Sequence, residues 1–561
     1  MNKIIDEDYY DLIFNILLGE LDNADNTNGN ITYLNERHML IHTKRNEEDI
    51  CELGQTPYHR FPSLFTLTST ISMEKSGIGE VQRNNYLSLY GQGVLIGLID
   101  TGIDYLNPVF RKKDNTTKIN CIWDQTIESD NKPKDFSYGT EYNKVQINMA
   151  LQSNSPLEEV PTIDDNGHGT AIASIIVGNE DSENDFSGVV PDAEIAVVKL
   201  KKAKKNLYDI FLVPEDKLCF QDSDVILAIR YLVTKARELQ RPLAICLAIG
   251  TSQGGHDGLG ATSSYINYLS QISKIGIVVA AGNEGNKRRH FYSNIPRNGN
   301  LENIEINIGE DDKEFSLEVW MNVPARCTVE LITPTGETTK MVYPSISSCQ
   351  KYNFVFNQST VWINNSLFEQ ETGDQLILIR FRNAISGIWN LKLVNLDQKP
   401  FELHAWLPNG DLISDSTFFI RANPYTTITS PGNARIPLTV SSYNPINDSF
   451  YIESSRGYNR AGIIKPDLAA PGVDIPCALL NNKFGTISGT GAAAAHTTGI
   501  MAMILEWADV RGNYTSITGN DINRLLIRGA NREESIIYPN EEWGYGKIDV
   551  NRFFENLGLF Y

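Results

Sequence analysis

Long apolar runs are missing from this chain. None approaches the roughly 18 residues that a membrane-spanning helix requires, so no membrane span is expected. The segment Met1 to Tyr10 is polar and acidic. It lacks the basic and apolar regions of a secretory signal, and none is read there. Positive charge is scarce: Lys and Arg number 49 against 69 Asp and Glu, a net charge of −20. That balance argues against nucleic acid or an anionic membrane as a partner. The one basic run, Lys199 to Lys205, is short and reads as a solvated surface strip. Cysteine is sparse and scattered, at Cys51, Cys121, Cys219, Cys246, Cys327, Cys349 and Cys477. The number is odd, no CxxC pair occurs and no Cys/His cluster has zinc-ligand spacing. Free thiols are therefore expected, and no metal or other cofactor is implied. Internal repeats and long low-complexity tracts are absent as well.

What is present divides by periodicity. At 561 residues the chain exceeds a single core, and about two to four domains are expected. Residues 1–78 read as a small α/β unit. Tyr9, Leu12, Ile13, Ile16, Leu17 and Leu21 follow helical spacing, and β-like alternation follows at Ile31 to Leu34 and Met39 to His42. Over 85–294 continuous apolar strands appear, of the kind buried on both faces of a parallel sheet: Gly93 to Ile99, Ile195 to Val198, Leu243 to Ala248 and Ile277 to Ala281. Helical stretches at Ser223 to Leu239 and Ser263 to Ser273 alternate with them, which implies a doubly wound α/β domain with functional loops at the strand ends. Over 295–426 short alternating strands replace the helices, as at Ile304 to Ile308, Phe315 to Trp320 and Leu376 to Ile379. This reads as an inserted antiparallel β-sandwich. The α/β pattern resumes over 427–561.

Three polar residues stand at the ends of such elements. Asp100 closes an apolar strand in Leu98-Ile99-Asp100-Thr101-Gly102, where a carboxylate needs a partner. His168 lies in Asp165-Asn166-Gly167-His168-Gly169-Thr170, ahead of the apolar helix Ala171 to Val177. Asn283 follows a strand in Ala281-Gly282-Asn283-Glu284-Gly285 and could donate to an oxyanion. Each alone has a plainer reading: a turn, a structural histidine, a helix cap. In this order and on these elements they suggest peptide-bond chemistry, which needs an activated hydroxyl, a histidine base and an orienting carboxylate. Farther on, Ser488-Gly489-Thr490-Gly491 enters the small-residue helix Ala492 to Gly499. Lys465 to Gly472, Lys-Pro-Asp-Leu-Ala-Ala-Pro-Gly, carries no catalytic group and reads as a rigid turn.

Together these blocks resemble the subtilisin-like serine proteases, or subtilases. The resemblance spans 90–290 and 427–550. It implies that Asp100 matches the orienting carboxylate, His168 the base and Asn283 the oxyanion donor. Ala248, Ile249 and Gly250 fall where the family's substrate-lining strand runs. Gly491 occupies the place of the nucleophilic serine, and glycine can neither attack a carbonyl nor pass a proton to histidine. Thr490 and Ser488 are the nearby hydroxyls, one adjacent and one before the turn.

A narrower resemblance is to the Csp germination proteases of spore-forming clostridia, carried by the inserted sandwich, the segment Lys199 to Leu207 and Gly254-Gly255-His256-Asp257-Gly258. That group implies a prodomain, a subtilase domain and an inserted jelly roll, with no cofactor. Its active members cut a cortex-lytic enzyme zymogen. Members of the CspA and CspC kind have lost catalytic residues and act in germinant signalling; a chain keeping Asp100 and His168 is more similar to CspC. The partners implied are a small germinant, other Csp proteins and the zymogen, and the place implied is the spore cortex or coat region after synthesis in the sporulating cell's cytoplasm. The reading is a pseudoprotease that senses or relays a signal. The alternative is an active endopeptidase with an unorthodox nucleophile. Without self-cleavage, the segment from Phe65 to Ser76 is expected to lie uncut along the cleft.

Overall fold

The computed structural model describes residues 2–16, 30–44, 51, 56–68, 81–82, 87–184, 186–295, 301–356, 358–397 and 399–558. Its first strands, β1 (Tyr9–Asn15), β2 (Ile31–Tyr33) and β3 (His38–Lys44), form an antiparallel sheet in the order β1-β3-β2. The helix expected from Tyr9 onward is therefore corrected to a strand. The reason is burial on two sides. Tyr10 and Leu12 pack with Phe61 and Leu207 in one cluster, while Ile13 packs with Leu40 and Phe65 in another. A strand wanted on both faces spreads apolar residues over adjacent positions and imitates helical spacing. Leu17 and Leu21 lie outside the described residues.

This sheet docks on the basic run, which is not a solvated strip. Lys204 is only 2% exposed. Its Nζ donates to Asp11 Oδ1 at 2.9 Å and to the Lys3 carbonyl at 2.9 Å. His42 Nδ1 meets the same Asp11 oxygen at 2.6 Å, and Gln221 Nε2 donates to Oδ2 at 3.2 Å. Burial alone would raise the Asp11 carboxyl, but His42, Lys204 and Lys201 hold it below its usual range.

After β4 (Leu64–Leu67) the main sheet begins. Its strands are β5 (Leu95–Asp100), β6 (Ile119–Asp124), β7 (Thr140–Asn143), β8 (Glu194–Lys199), β10 (Leu243–Leu247), β12 (Ile275–Ala280), β23 (Leu438–Tyr443) and β24 (Leu468–Pro471), with two short strands, β9 (Phe220–Gln221) and β11 (Ile249–Gly250), lying outside it. The order is β24-β23-β12-β10-β5-β8-β6-β7, parallel except for β7. Helices cover both faces, as doubly wound sheets require. Ile96 and Leu98 point to the side of α1 (His168–Val177) and α4 (Thr490–Leu505), and Leu95 and Ile99 to that of α2 (Asp222–Leu239) and α3 (Ala261–Leu269). The segment read as a rigid turn, Lys465 to Gly472, instead supplies edge strand β24. Its closing Pro471 is tolerated at the strand's end, where the Gly472 amide makes the last bond to the Tyr443 carbonyl.

Between β12 and β23 the chain builds two antiparallel sheets. The intervening strands are β13 (His290–Ile295), β14 (Leu301–Ile308), β15 (Phe315–Met321), β16 (Cys327–Ile332), β17 (Gln350–Asn353), β18 (Thr360–Ser366), β19 (Gln375–Arg382), β20 (Gly387–Asn395), β21 (Phe401–Trp406) and β22 (Phe418–Phe419). One sheet runs β13-β21-β15-β19-β18-β17 and the other β16-β20-β14-β22. Ile304, Ile306, Leu317, Val319, Ile377 and Ile379 interlock between them. Cys349 of this insert is disulfide-bonded to Cys51, which corrects the expectation of free thiols throughout. Cys121, Cys219, Cys246, Cys327 and Cys477 are free and buried. No helix among the described residues is long and apolar enough to cross a membrane.

Candidate functional site: the cleft at the strand ends

The carboxyl ends of β5 and β12 and the N-termini of α1 and α4 meet in one place. Asp100, the last residue of β5, is fully buried and takes a hydrogen bond from the Thr101 amide at 2.7 Å. Its two oxygens lie 2.8 and 2.9 Å from Nδ1 of His168. His168 begins α1 and is itself buried. Burial would lower its pKa, but the charge and hydrogen bond of Asp100 raise it above the ordinary histidine value, and the nearby Thr68 backbone adds to this. Nε2 is buried and makes no hydrogen bond among the described residues.

A second carboxylate, not singled out in the sequence, holds this corner. Asp164 accepts from Thr101 Oγ1 at 2.8 Å and the Gly167 amide at 2.9 Å on one oxygen, and from the Thr170 amide and hydroxyl at 2.8 and 2.7 Å on the other. An acid three residues before Gly167 in a polar turn is the available signal for such a side-chain cap. The fit is tight: a Cβ at position 169 would fall 2.1 Å from the Gly102 carbonyl oxygen, so only glycine serves there.

Asn283 ends the loop after β12. Its Oδ1 accepts from the Thr490 amide at 3.0 Å and from the Thr490 hydroxyl at 3.2 Å. It thus caps α4 while leaving Nδ2 as the donor end of the amide. The Thr490 hydroxyl in turn accepts from the Gly282 amide at 2.9 Å. Gly489, with φ 143° and ψ −174°, makes the turn into α4 in a region that essentially only glycine enters. Gly491 is different. It is buried in the first turn of α4 and does not have a positive φ, so its backbone is one any L-residue adopts. Helices α1 and α4 pack against each other. Ser488 is exposed, and its Oγ accepts from the Asp474 amide at 3.3 Å.

Ala248, Ile249 and Gly250 line the cleft, and the chain's own N-terminal strand occupies it. Strand β4 pairs antiparallel with β11, Ile249 opposite Leu67 and Gly250 opposite Thr66, and on its other side with β9. The Thr68 amide donates to the Ala248 carbonyl at 2.9 Å. The insert closes over this strand through Asn409, whose Nδ2 reaches Thr66 Oγ1 at 2.7 Å and the Gly250 carbonyl at 3.0 Å. Sequence reasoning missed Asn409, since nothing local marks it. Leu67, Thr68 and Asn283 border an open groove of about 640 Å³ with Arg289 and Asp415. The segment expected along the cleft thus does so over Phe65 to Thr68, and positions 69–76 lie outside the described residues.

The family model for the subtilases, "Subtilase family", matches residues 91–306 and 414–546, more than half the chain. The chain belongs to the subtilase family. Its fold agrees with a solved relative, the CspB protease of Clostridium perfringens, at 31% identity and a TM-score of 0.76, covering 86% of this chain and 96% of that one. Among curated proteins it is 21% identical over 507 residues to the C5a peptidase of Streptococcus pyogenes, matching 82% of this chain. It is 22% identical over 536 residues to the subtilisin-like protease SBT4.3 of Arabidopsis thaliana. The chain spans about two fifths of the C5a peptidase's length, 40%. As a subtilase, this chain presents an aspartate–histidine couple, a capped helix beside it and a strand already seated in the cleft.

Proposed function

We propose that this subtilase is a catalytically inactive relative of the Csp proteases, of the CspC kind, and that it regulates spore germination by binding a small germinant or a partner protein. The observation that carries the reading is Gly491, which stands at the head of α4 where the family's nucleophile would be. Asp100 and His168 then serve as a retained, mutually satisfied pair, since removing either partner of a buried pair is costly. Neighbouring hydroxyls do not substitute. Thr490 is engaged by Asn283 and Gly282, and Ser488 is exposed beside Asp474. Likeness to the CspB protease supports the germination setting. In this reading Asn283 keeps the oxyanion position, now as a cap for α4, and Ala248, Ile249 and Gly250 hold the resident strand.

A fluorophosphonate probe tests this, because covalent labelling requires an activated hydroxyl. Purified chain is expected to remain unlabelled under conditions that fully label an active subtilase. Labelling mapped to Thr490 or Ser488 would establish the alternative, a working endopeptidase with an unorthodox nucleophile.

A further inference from the structure

Away from the aspartate–histidine couple, three parts of the chain enclose a second cavity of about 70 Å³. Tyr58 and Phe65 come from the N-terminal segment, Asp222 and Thr262 from the α/β body, and Trp320 and Glu371 from the insert. Several waters' worth of space is left. The lining is acidic, for Asp257 and Glu369 also border it. Two of the four carboxylates have a basic side chain beside them: Arg460 meets Asp257 at 3.2 Å and His59 meets Glu369 at 3.0 Å. Asp222 has none. It is 6% exposed, and the Thr262 hydroxyl is the one hydrogen-bond donor described on its carboxylate, at Oδ1. Burial pushes its carboxyl up to about 6, with only that hydroxyl to oppose the rise. Glu371 also lines the cavity, where desolvation and the charges of Glu369, Asp257 and Asp222 hold it above its usual range against the pull of His59.

A buried carboxylate without a cation is expensive, and here it borders open space. A positively charged ligand would relieve it. A metal ion is a poor fit: no three acidic or histidine side chains among the described residues converge as ligands, whereas calcium wants about six to eight oxygens. The acceptors instead suit separate N–H donors, and Phe65 and Trp320 offer apolar wall for a short stem. We propose that this cavity binds a small primary ammonium compound of a few heavy atoms, with its –NH₃⁺ donating to Asp222 and its stem against Phe65 and Trp320. A quaternary ammonium lacks the donors that these oxygens accept. Because all three parts of the chain contribute walls, an occupied site fastens them together. The inference stands on this cavity alone and is independent of whether Gly491 abolishes catalysis.

Ethylammonium chloride is the probe, titrated into the full-length chain by calorimetry and by thermal unfolding. Sodium chloride, tetramethylammonium chloride and calcium chloride at matched ionic strength are the controls. Saturable heat and a saturable rise in Tm are expected with ethylammonium alone. Asp222→Asn is expected to weaken binding by about tenfold or more, the scale of a lost charged hydrogen bond. Glu371→Gln, a nearly isosteric change at a residue the surface reaches, is expected to weaken it several-fold, so the test survives if the first variant fails to fold. No saturable response in the wild-type chain, or equal affinity in the variants that fold, overturns the site. A response to calcium without one to ethylammonium overturns the ligand class. Fluorophosphonate labelling would leave this result untouched, so the two readings fail separately.

Discussion

On the proposed reading position 491 decides the chemistry of the cleft, and its backbone is one that a serine could share. Gly491 is helical and free of the left-handed region, while the strained turn is carried by Gly489. The Asp100–His168 couple is closed at 2.8 Å, and the Thr68 backbone lies beside the ring. Gly491→Ser is therefore expected to gain slow labelling by a fluorophosphonate, and no gain would show that the corner has drifted beyond repair by a single side chain. A second residue pair governs attachment of the N-terminal sheet. Lys204 and Asp11 are 2% and 3% exposed. Removing Lys204 leaves Asp11 buried with only His42 and Gln221 on its oxygens, so Lys204→Met is expected to lower stability by about 1–3 kcal/mol. Urea denaturation reads this out, and pairing the change with Asp11→Leu should recover much of the loss. The Asp100–His168 couple could be read in the sequence because polar residues at the ends of apolar elements stand out over a few positions. Lys204 was misjudged because its partner, Asp11, is 193 positions away, and a basic run looks the same whether it faces water or a docked carboxylate.

At the level of elements, β4 is the piece that turns an open cleft into a filled one. Its backbone is paired on both sides, to β11 and β9, and Asn409 bolts it from above. Asn409→Ala removes the donor to both Thr66 and Gly250. Faster amide exchange over 64–68 is expected, with little change in the main sheet; unchanged exchange would show that strand pairing alone holds the segment. The parallel strands were legible because burial on both faces writes continuous apolar runs. Strand β1 was not, because two-sided burial in a short strand at a domain junction produces spacing like that of a helix. Nor was β24, whose Pro471 and Gly472 carry turn chemistry although Leu468 to Pro471 pair with β23. The bond between Cys51 and Cys349 spans 298 positions, and an odd cysteine count offered no pairing.

Considered whole, the molecule is fastened by groups that acid would loosen. His256, His290 and His404 stack with Trp406 where the insert meets the α/β body, His256 lying 4.1 Å from the indole. Burial holds them down at about 4, 3 and 2, with His256, His290 and Arg460 reinforcing one another's effect on the stack. Around them lie the Ile428 and Ser252 carbonyls, Tyr292, Arg460 and Asp257. A histidine with a depressed folded pKa gives stability that is present above the unfolded value near 6.5 and is lost as pH falls. By pH 5 each would cost about 2 kcal/mol. His168, raised instead, contributes with the opposite sign, its stabilisation fading as pH rises through its folded pKa. Thermal unfolding followed from pH 7.5 to 5 should show Tm falling steadily below pH 6.5, and a flat profile would mean that these rings are not buried as neutral imidazoles.

The most direct test of the account is the intact mass of the purified, full-length chain after prolonged incubation. On the proposed reading the site has no nucleophile and leaves the strand in the cleft uncut, so one species of 62.8 kDa is expected, with its original N-terminus. Thr68 ends the described part of the strand, its amide on the Ala248 carbonyl. Two stoichiometric fragments with a new N-terminus between about positions 65 and 90 would contradict the account, because they would require a working nucleophile in a site that Gly491 is held to have silenced.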